Sequence, residues 1–421
     1  MPTTNILTQV QTYQMSGLAY LQNLCCFIHT ANTKFKDFEK LTANLGSTVT
    51  FDLPPRFSTN PSLVAVFQDA VQRVQSLTVD QQVSTAYAFT AQEFIFNVED
   101  YMIKFGKSAT EEIGSQIEAN VANLCVTAPF RFFGDGVTQI SSYGQLASAL
   151  AFFRNFGAAT AETEGFLSDL AIPGIINSGL QQFATNRNNE DAQSWQLGSF
   201  NRCEWYESNL LPVHIAGTEG QTATTLTVVS TTTDASGAVT AITFSGTHAA
   251  ADANSVKKYD KFQFVDGVAG QPNMRFLTFI GHNVSGSPVQ FAAAADAAST
   301  GGSQVTVTLN PPLLPGMGQD ATLGTTAMNV NNTIVAGMQV TVLPSHRAGM
   351  IMSGKPLFLA MPRLPEEVPF PTANESDPES GVAIRQYYGS LFGQNQRGMI
   401  HDAIWGSTAV PEYTMSVIFP L

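Results

Sequence analysis

The sequence predicts an α+β protein carrying an inserted all-β domain. Three observations predict it: apolar residues at helical spacing in the first half of the chain, a sharp change of composition at Pro212, and a return of mixed character after residue 343. At 421 residues the chain is long enough to bury more than one core.

The elements follow in order. Leu7, Val10, Leu18, Leu21, Cys25 and Ile28 recur at three- and four-residue steps, which predicts a helix over 5–29. "GSTVTFDLPPRF" (46–57) reads as a strand stopped by Pro54-Pro55. "SLTVDQQVSTAYAF" (76–89) is a second β segment, with Val83, Thr85, Tyr87 and Phe89 alternating. Together they predict an extended two-stranded excursion with no core of its own. Ile113, Ile117, Val121 and Leu124 form an apolar stripe that predicts a helix over 108–126. Residues 143–156 and 172–185 predict two more helices, followed by a polar loop at 186–193.

From 213 to 342 the chain is rich in Thr, Val, Gly and Ala. "TATTLTVVS" and "AVTAITFSG" are strand patterns joined by the turn "TTDASG". "KYDKFQFVDGV", "MRFLTFIG" and "SQVTVTLNPPL" continue the β pattern. This predicts a separate β domain resembling a small barrel. "KPLFLAMPRL", "GVAIRQYYGSLFGQ" and "EYTMSVIFPL" then close the chain.

One enzyme-like motif stands out: "KFGKSATEE" (104–112) contains the GKS of a phosphate-binding loop. That loop needs a glycine at position 101, which is Tyr101, and Glu99 and Asp100 precede it where a strand should be apolar. Ser108 and Glu111 instead have the spacing of a capping box, with Glu111 and Glu112 suited to the positive end of a helix. The six histidines are scattered, none three or four residues from another, so no helical metal pair exists. No catalytic residue, cofactor site or metal site is expected, and the chain does not read as an enzyme.

Charged residues are 13% of the chain, against about 25% in ordinary globular proteins. Solitary soluble proteins are kept apart by surface charge. So poor a supply predicts that much of the surface meets other subunits. The net charge is −13, without any run of Lys or Arg, which excludes nucleic-acid binding by a clustered basic footprint. Cys25, Cys26, Cys125 and Cys203 have no CxxC spacing and read as reduced and structural. "MPTTNILTQVQTYQ" has no basic region or long apolar run, so no signal peptide is expected, and no 18-residue apolar segment spans a membrane.

The order of these segments resembles tailed-bacteriophage major capsid (coat) proteins of the Hong-Kong-ninety-seven-like fold, of the short-tailed-phage type with an inserted β domain. "KDFEKLTANLGSTVTFDLPPRF" resembles the passage from N-terminal arm into the E-loop, and "SLTVDQQVSTAYAFTAQEF" its return strand. The helix over 108–126 is similar to the family's spine helix. "GSFNRCEWYESNLLPVHIAGTEG" resembles the exit into the insertion, and "AMNVNNTIVAGMQVTVL" the return from it. "GVAIRQYYG…RGMIHDAIWGSTAVPEY" resembles the closing strands.

The resemblance implies an N-terminal arm at 1–45, the E-loop and start of the peripheral domain at 46–100, and a spine helix at 101–130. It places axial-domain sequence at 131–212, the inserted domain at 213–342 and the closing axial and peripheral part at 343–421. It implies an icosahedral shell of hexamers and pentamers enclosing packaged double-stranded DNA, touched only weakly and non-specifically. Partners would be other copies of the chain, a separate scaffolding protein, the portal protein and any decoration protein. No membrane is involved, and assembly takes place in the bacterial cytoplasm. Another virion structural protein, such as a tail or baseplate component, is the alternative, with a β-rich adhesin third.

Some relatives weld subunits through an E-loop lysine. Residues 46–100 hold Arg56 and Arg73 and no lysine, so no such crosslink is expected. Others fuse a helical scaffold ahead of the shell domain. Only some 45 residues precede the E-loop pattern here, so neither that scaffold nor cleavage of the coat protein is expected. Arg56, Phe57, Phe67 and Arg73 are the expected inter-subunit contacts of the excursion, with Glu111 and Glu112 as carboxylates on a neighbour. Lys34, Lys36 and Lys40 are the expected dock for an acidic scaffold. Reversing those three lysines to glutamate is expected to weaken scaffold-assisted assembly, followed by light scattering, while circular dichroism of the monomer stays unchanged.

Overall fold

The computed structural model describes residues 25–33, 48–53, 67, 73–90, 98–157, 162–178, 196–221, 225–246, 251–278, 283–300, 303–316, 329–365, 372–376, 382–390 and 396–421. The chain is a mixed α+β protein dividing into two compact units. The first comprises residues 1–51, 74–122 and 355–409; the second comprises 52–73, 123–354 and 410–421.

The first unit is organised by the 14-residue strand Gln396–Ala409. On one side it pairs antiparallel with Gln81–Thr90 over ten residues, from Gln396 opposite Thr90 to Trp405 opposite Gln81. On the other side it pairs with Ala383–Ser390 and then with Leu357–Ala360. Thr372–Ser376 adds an outer strand beyond Ala383–Ser390. The helix Val98–Ala122 turns Ile113, Ile117 and Val121 inward, as their spacing requires. Its Asn120 side-chain oxygen accepts from Trp405 Nε1 at 3.2 Å and Ser407 Oγ at 3.3 Å.

The helix differs from the sequence expectation at its start and its end. It begins at Val98, so Ser108 lies inside it and caps nothing, and Gly106-Lys107-Ser108 is helix and not loop. It ends at Ala122, and Leu124 opens a separate short helix, Leu124–Thr127. Of the expected helix over 5–29, Cys26–Thr30 is helical and residues 5–24 lie outside the described residues. Ile172–Asn177 is the described helical part of 172–185; the loop at 186–193 also lies outside. Thr48–Leu53 and Arg73–Thr78 pair as a two-stranded sheet. Residues 54–66 and 68–72 of the expected excursion fall outside the described set.

The second unit holds a sheet in the order Phe132–Phe133, Thr414–Phe419, His346–Ser353, Thr163–Ser168, Cys203–Ser208, Gln196–Phe200. Thr414–Phe419 and Thr163–Ser168 are buried at every position, so both faces are covered and no polar alternation shows. The helix Tyr143–Asn155 is capped by a box in which Ser142 and Gln145 exchange bonds.

Six further strands of this unit close into a ring. Val239–Ser245, Thr225–Thr233, Gln339–Val342, Lys261–Phe264, Gln290–Ala293 and Gln304–Leu313 pair in that order, and the last returns to the first. Every pairing is antiparallel. The barrel forms because its strands alternate: Val305, Val307 and Leu309 point in, with more exposed neighbours between them. Phe244, Phe262 and Phe291 stack nearly parallel in its core, with centroids 5.0 to 6.4 Å apart. At the "DASG" turn, Asp234 Oδ1 accepts from the amides of Ser236 and Ala238, and Gly237 takes φ +84°.

A Cβ at Gly406 would collide with the backbone oxygen of Thr78, whereas one at Gly144 would meet nothing. Gly406→Ala is expected to lower stability by roughly 1–3 kcal/mol. Gly144→Ala, at an exposed position of the helix Tyr143–Asn155, is expected to be neutral or to raise stability by up to about 1 kcal/mol. Urea denaturation of both variants checks the pair.

Candidate functional site

The residues expected to act between subunits are placed unevenly. Phe67 is 98% exposed, an aromatic ring left in water. Arg73 opens the strand Arg73–Thr78. Arg56, Phe57, Lys34, Lys36 and Lys40 lie outside the described residues. Glu111 and Glu112 stand well inside the helix and not in its first turn, because the helix starts at Val98. The dipole argument for their position therefore fails. Glu111 is half-buried, and the exposed Glu112 accepts from Gln116 Nε2 at 3.3 Å. Val137 and Leu170 are further large apolar side chains with most of their surface exposed.

The interior holds ionisable groups that the sequence did not reveal. In the first unit, Glu118 is buried on the long helix. Its carboxylate accepts from the amides of Phe27 at 2.8 Å and Ile28 at 3.1 Å, and from Cys26 Sγ. It thus caps the short helix Cys26–Thr30, whose own N-cap residue, Cys25, makes no side-chain cap bond. In the same unit Arg385 forks onto Asp402 across a strand pair, Nε to Oδ1 at 2.9 Å and Nη2 to Oδ2 at 2.5 Å. Its Nη1 donates to the Pro365 carbonyl.

In the second unit Arg131 is buried against the Phe156 ring at 3.9 Å and donates to the carbonyls of Glu412 and Thr414. Burial pulls its pKa down to about 9. His214 and His346 are register partners on adjacent strands, brought together from 132 positions apart (346 − 214). His214 Nε2 lies 2.7 Å from Asp260 Oδ1. Helical spacing could not have revealed this pair; only strand pairing creates it. All four cysteines are free and buried, and burial pushes the Cys25 and Cys203 thiols up. Among the described residues, no group of three or more His, Cys, Asp or Glu is arranged to hold a metal ion. No described helix is long and apolar enough to cross a membrane.

No protein-family model matches the chain, and no curated protein matches it. Among solved structures it is similar to "Mycobacterium phage Che8", at 7% identity over 93% of this chain and 90% of that one, with a TM-score of 0.45. It is similar to "Cyanophage Pam1 capsid asymmetric unit" at 8% identity, 92% and 87% coverage and a TM-score of 0.44. It is also similar to "Capsid of Ralstonia phage GP4" at 8% identity, 93% and 87% coverage and a TM-score of 0.43. At scores and identities this low the likenesses carry no argument for this chain's function.

The Glu118 cap has a pH signature. Burial raises its carboxyl from 4.5 to about 7, outweighing the bonds from Phe27 and Ile28 that pull it down. The folded state therefore keeps the proton to higher pH than the unfolded chain. The group's contribution to stability is full below about 4.5, declines as pH rises to about 7, and is constant above. Glu118→Gln has no proton to lose. The stability of the parent minus that of the variant is expected to fall by roughly 3 kcal/mol across this window. Denaturation series between about pH 4 and pH 8 measure it, and a difference independent of pH would overturn the assignment.

Proposed function

We propose that this chain is the major capsid protein of a tailed bacteriophage, a subunit that closes with its copies into an icosahedral shell around double-stranded DNA. The observation that carries the reading is the excursion. Two paired strands, Thr48–Leu53 and Arg73–Thr78, bracket a segment that leaves Phe67 almost wholly exposed. Leaving a phenylalanine in water forgoes about 1.5–3 kcal/mol of burial. A neighbouring subunit that covers it recovers that term.

Several features support the same reading. Charge is scarce, as suits a surface shared with other subunits. The net charge of −13 suits a wall that must not grip DNA tightly. The arm, E-loop, long helix, insertion and closing strands of the resemblance follow one another in sequence, and a closed barrel lies where an inserted domain is expected. In this reading Arg56, Phe57, Phe67 and Arg73 meet a neighbour carrying Glu111 and Glu112. Lys34, Lys36 and Lys40 dock a separate scaffolding protein. The role is structural, with portal and decoration proteins as further partners.

Negative-stain electron microscopy tests the reading, on the protein expressed alone and with its neighbouring open reading frames. Closed shells, or polyheads when it is alone, are expected. Rings or tubes would reassign it to another part of the virion, and small discrete oligomers in both samples would overturn the virion reading.

A further inference from the structure

The barrel is seated on the rest of the second unit through a buried polar cluster. The short strand Val213–His214 precedes it, and the strand that opens at His346, the register partner of His214, follows its last strand, Gln339–Val342. Asp260, on the barrel side, faces His214 Nε2 at 2.7 Å and also accepts from the amides of Gly217 and Lys257. Next to Asp260, Lys261 is completely buried. Its amine donates to the Pro129 carbonyl at 2.9 Å and to Ser416 Oγ at 2.5 Å, and Ser416 Oγ donates on to the Cys125 carbonyl. Gln290, on a neighbouring barrel strand, bonds both the amide and the carbonyl of Phe132.

The cluster is short of negative charge. Lys261 has two neutral oxygens and no carboxylate among its hydrogen-bond partners. His346 Nδ1 lies 2.7 Å from the Pro344 carbonyl, which can only accept, so Nδ1 carries the proton and Nε2 presents a bare lone pair. That Nε2 is buried without a partner. The titratable groups facing the cluster are His214, Asp260, Lys261, His346 and the Cys125 thiol. Asp260 is already engaged by His214 and two amides.

We propose that this seat is a proton-sensitive joint, loosening between the barrel and residues 129–132 and 344–348 as pH falls and tightening as it rises, while the six barrel strands stay paired. A proton arriving at Lys261 or at His346 Nε2 creates a buried charge with no carboxylate among its hydrogen-bond partners, and local opening hydrates it. The proposal does not depend on the capsid reading.

The two groups act in separate windows. Burial lowers Lys261 from 10.5 to about 7, so the closed seat gives up its proton there while the open seat keeps it up to about 10.5. Closure is thus favoured by rising pH between those values. Burial lowers His346 from 6.5 to about 3, with His214 and Lys261 adding to the effect, so closure is lost as pH falls below about 6.5.

Hydrogen exchange of the full chain, read by mass spectrometry and corrected for the intrinsic pH dependence of exchange, tests the joint. Opening at residues 129–132 and 344–348 is expected to rise about fiftyfold from about pH 9 to pH 7. A further rise of about thirtyfold is expected by about pH 5, with strands Thr225–Thr233 and Gln304–Leu313 staying protected. Lys261→Met should remove the upper step and, by taking away its repulsion of His346, shrink the lower one, whereas His346→Phe should remove the lower step and leave the upper one. Where a variant fails to fold, the parent profile still decides. Opening that does not change with pH, or that spreads evenly over the barrel strands, would overturn the proposal.

Discussion

Buried ionisable groups answered by backbone groups far away in sequence are the interaction on which both units depend. The chain has few charges, yet it places Glu118, Arg131, Lys261, Arg385 and Asp402 in its interior. Glu118 holds the amides of Phe27 and Ile28, Arg131 holds the carbonyls of Glu412 and Thr414, and Arg385 holds that of Pro365. A charge taken out of water is costly unless its bonding capacity is filled. Each such group therefore forces two distant segments into one geometry. Apolar packing draws those segments together, and the buried charge dictates how they align.

What the sequence disclosed follows from how each element meets water. Strands with one wet face alternate, so Val305, Val307 and Leu309 were legible, and so was the turn built on Asp234 and Gly237. The strand His346–Ser353 was not, because almost all of it is buried and its residues carry no period. The start of the long helix was misjudged because Ser108 and Glu111 have the spacing of a cap, while the ten residues before them are themselves helical. Local chemistry marks a possible cap but cannot say that a helix has already begun.

The residues expected between subunits include one ring, Phe67, that the structure leaves 98% exposed. The pairing of His214 with His346 could not be read, because strand register joins positions that no local spacing relates. The capping of Cys26–Thr30 by Glu118 was hidden for the same reason, since a cap is ordinarily sought next to its helix.

Closure of the barrel has a consequence for life in a crowd. A sheet with free edges offers a row of unpaired amides and carbonyls to any passing strand, and many copies at close quarters can polymerise through such edges. In the six-membered ring each strand already has a partner on both sides. Along its paired stretches the barrel therefore offers a second molecule side chains, such as the exposed Val229 and Val335, in place of open backbone. Contacts of that kind can be made, broken and remade without recruiting backbone.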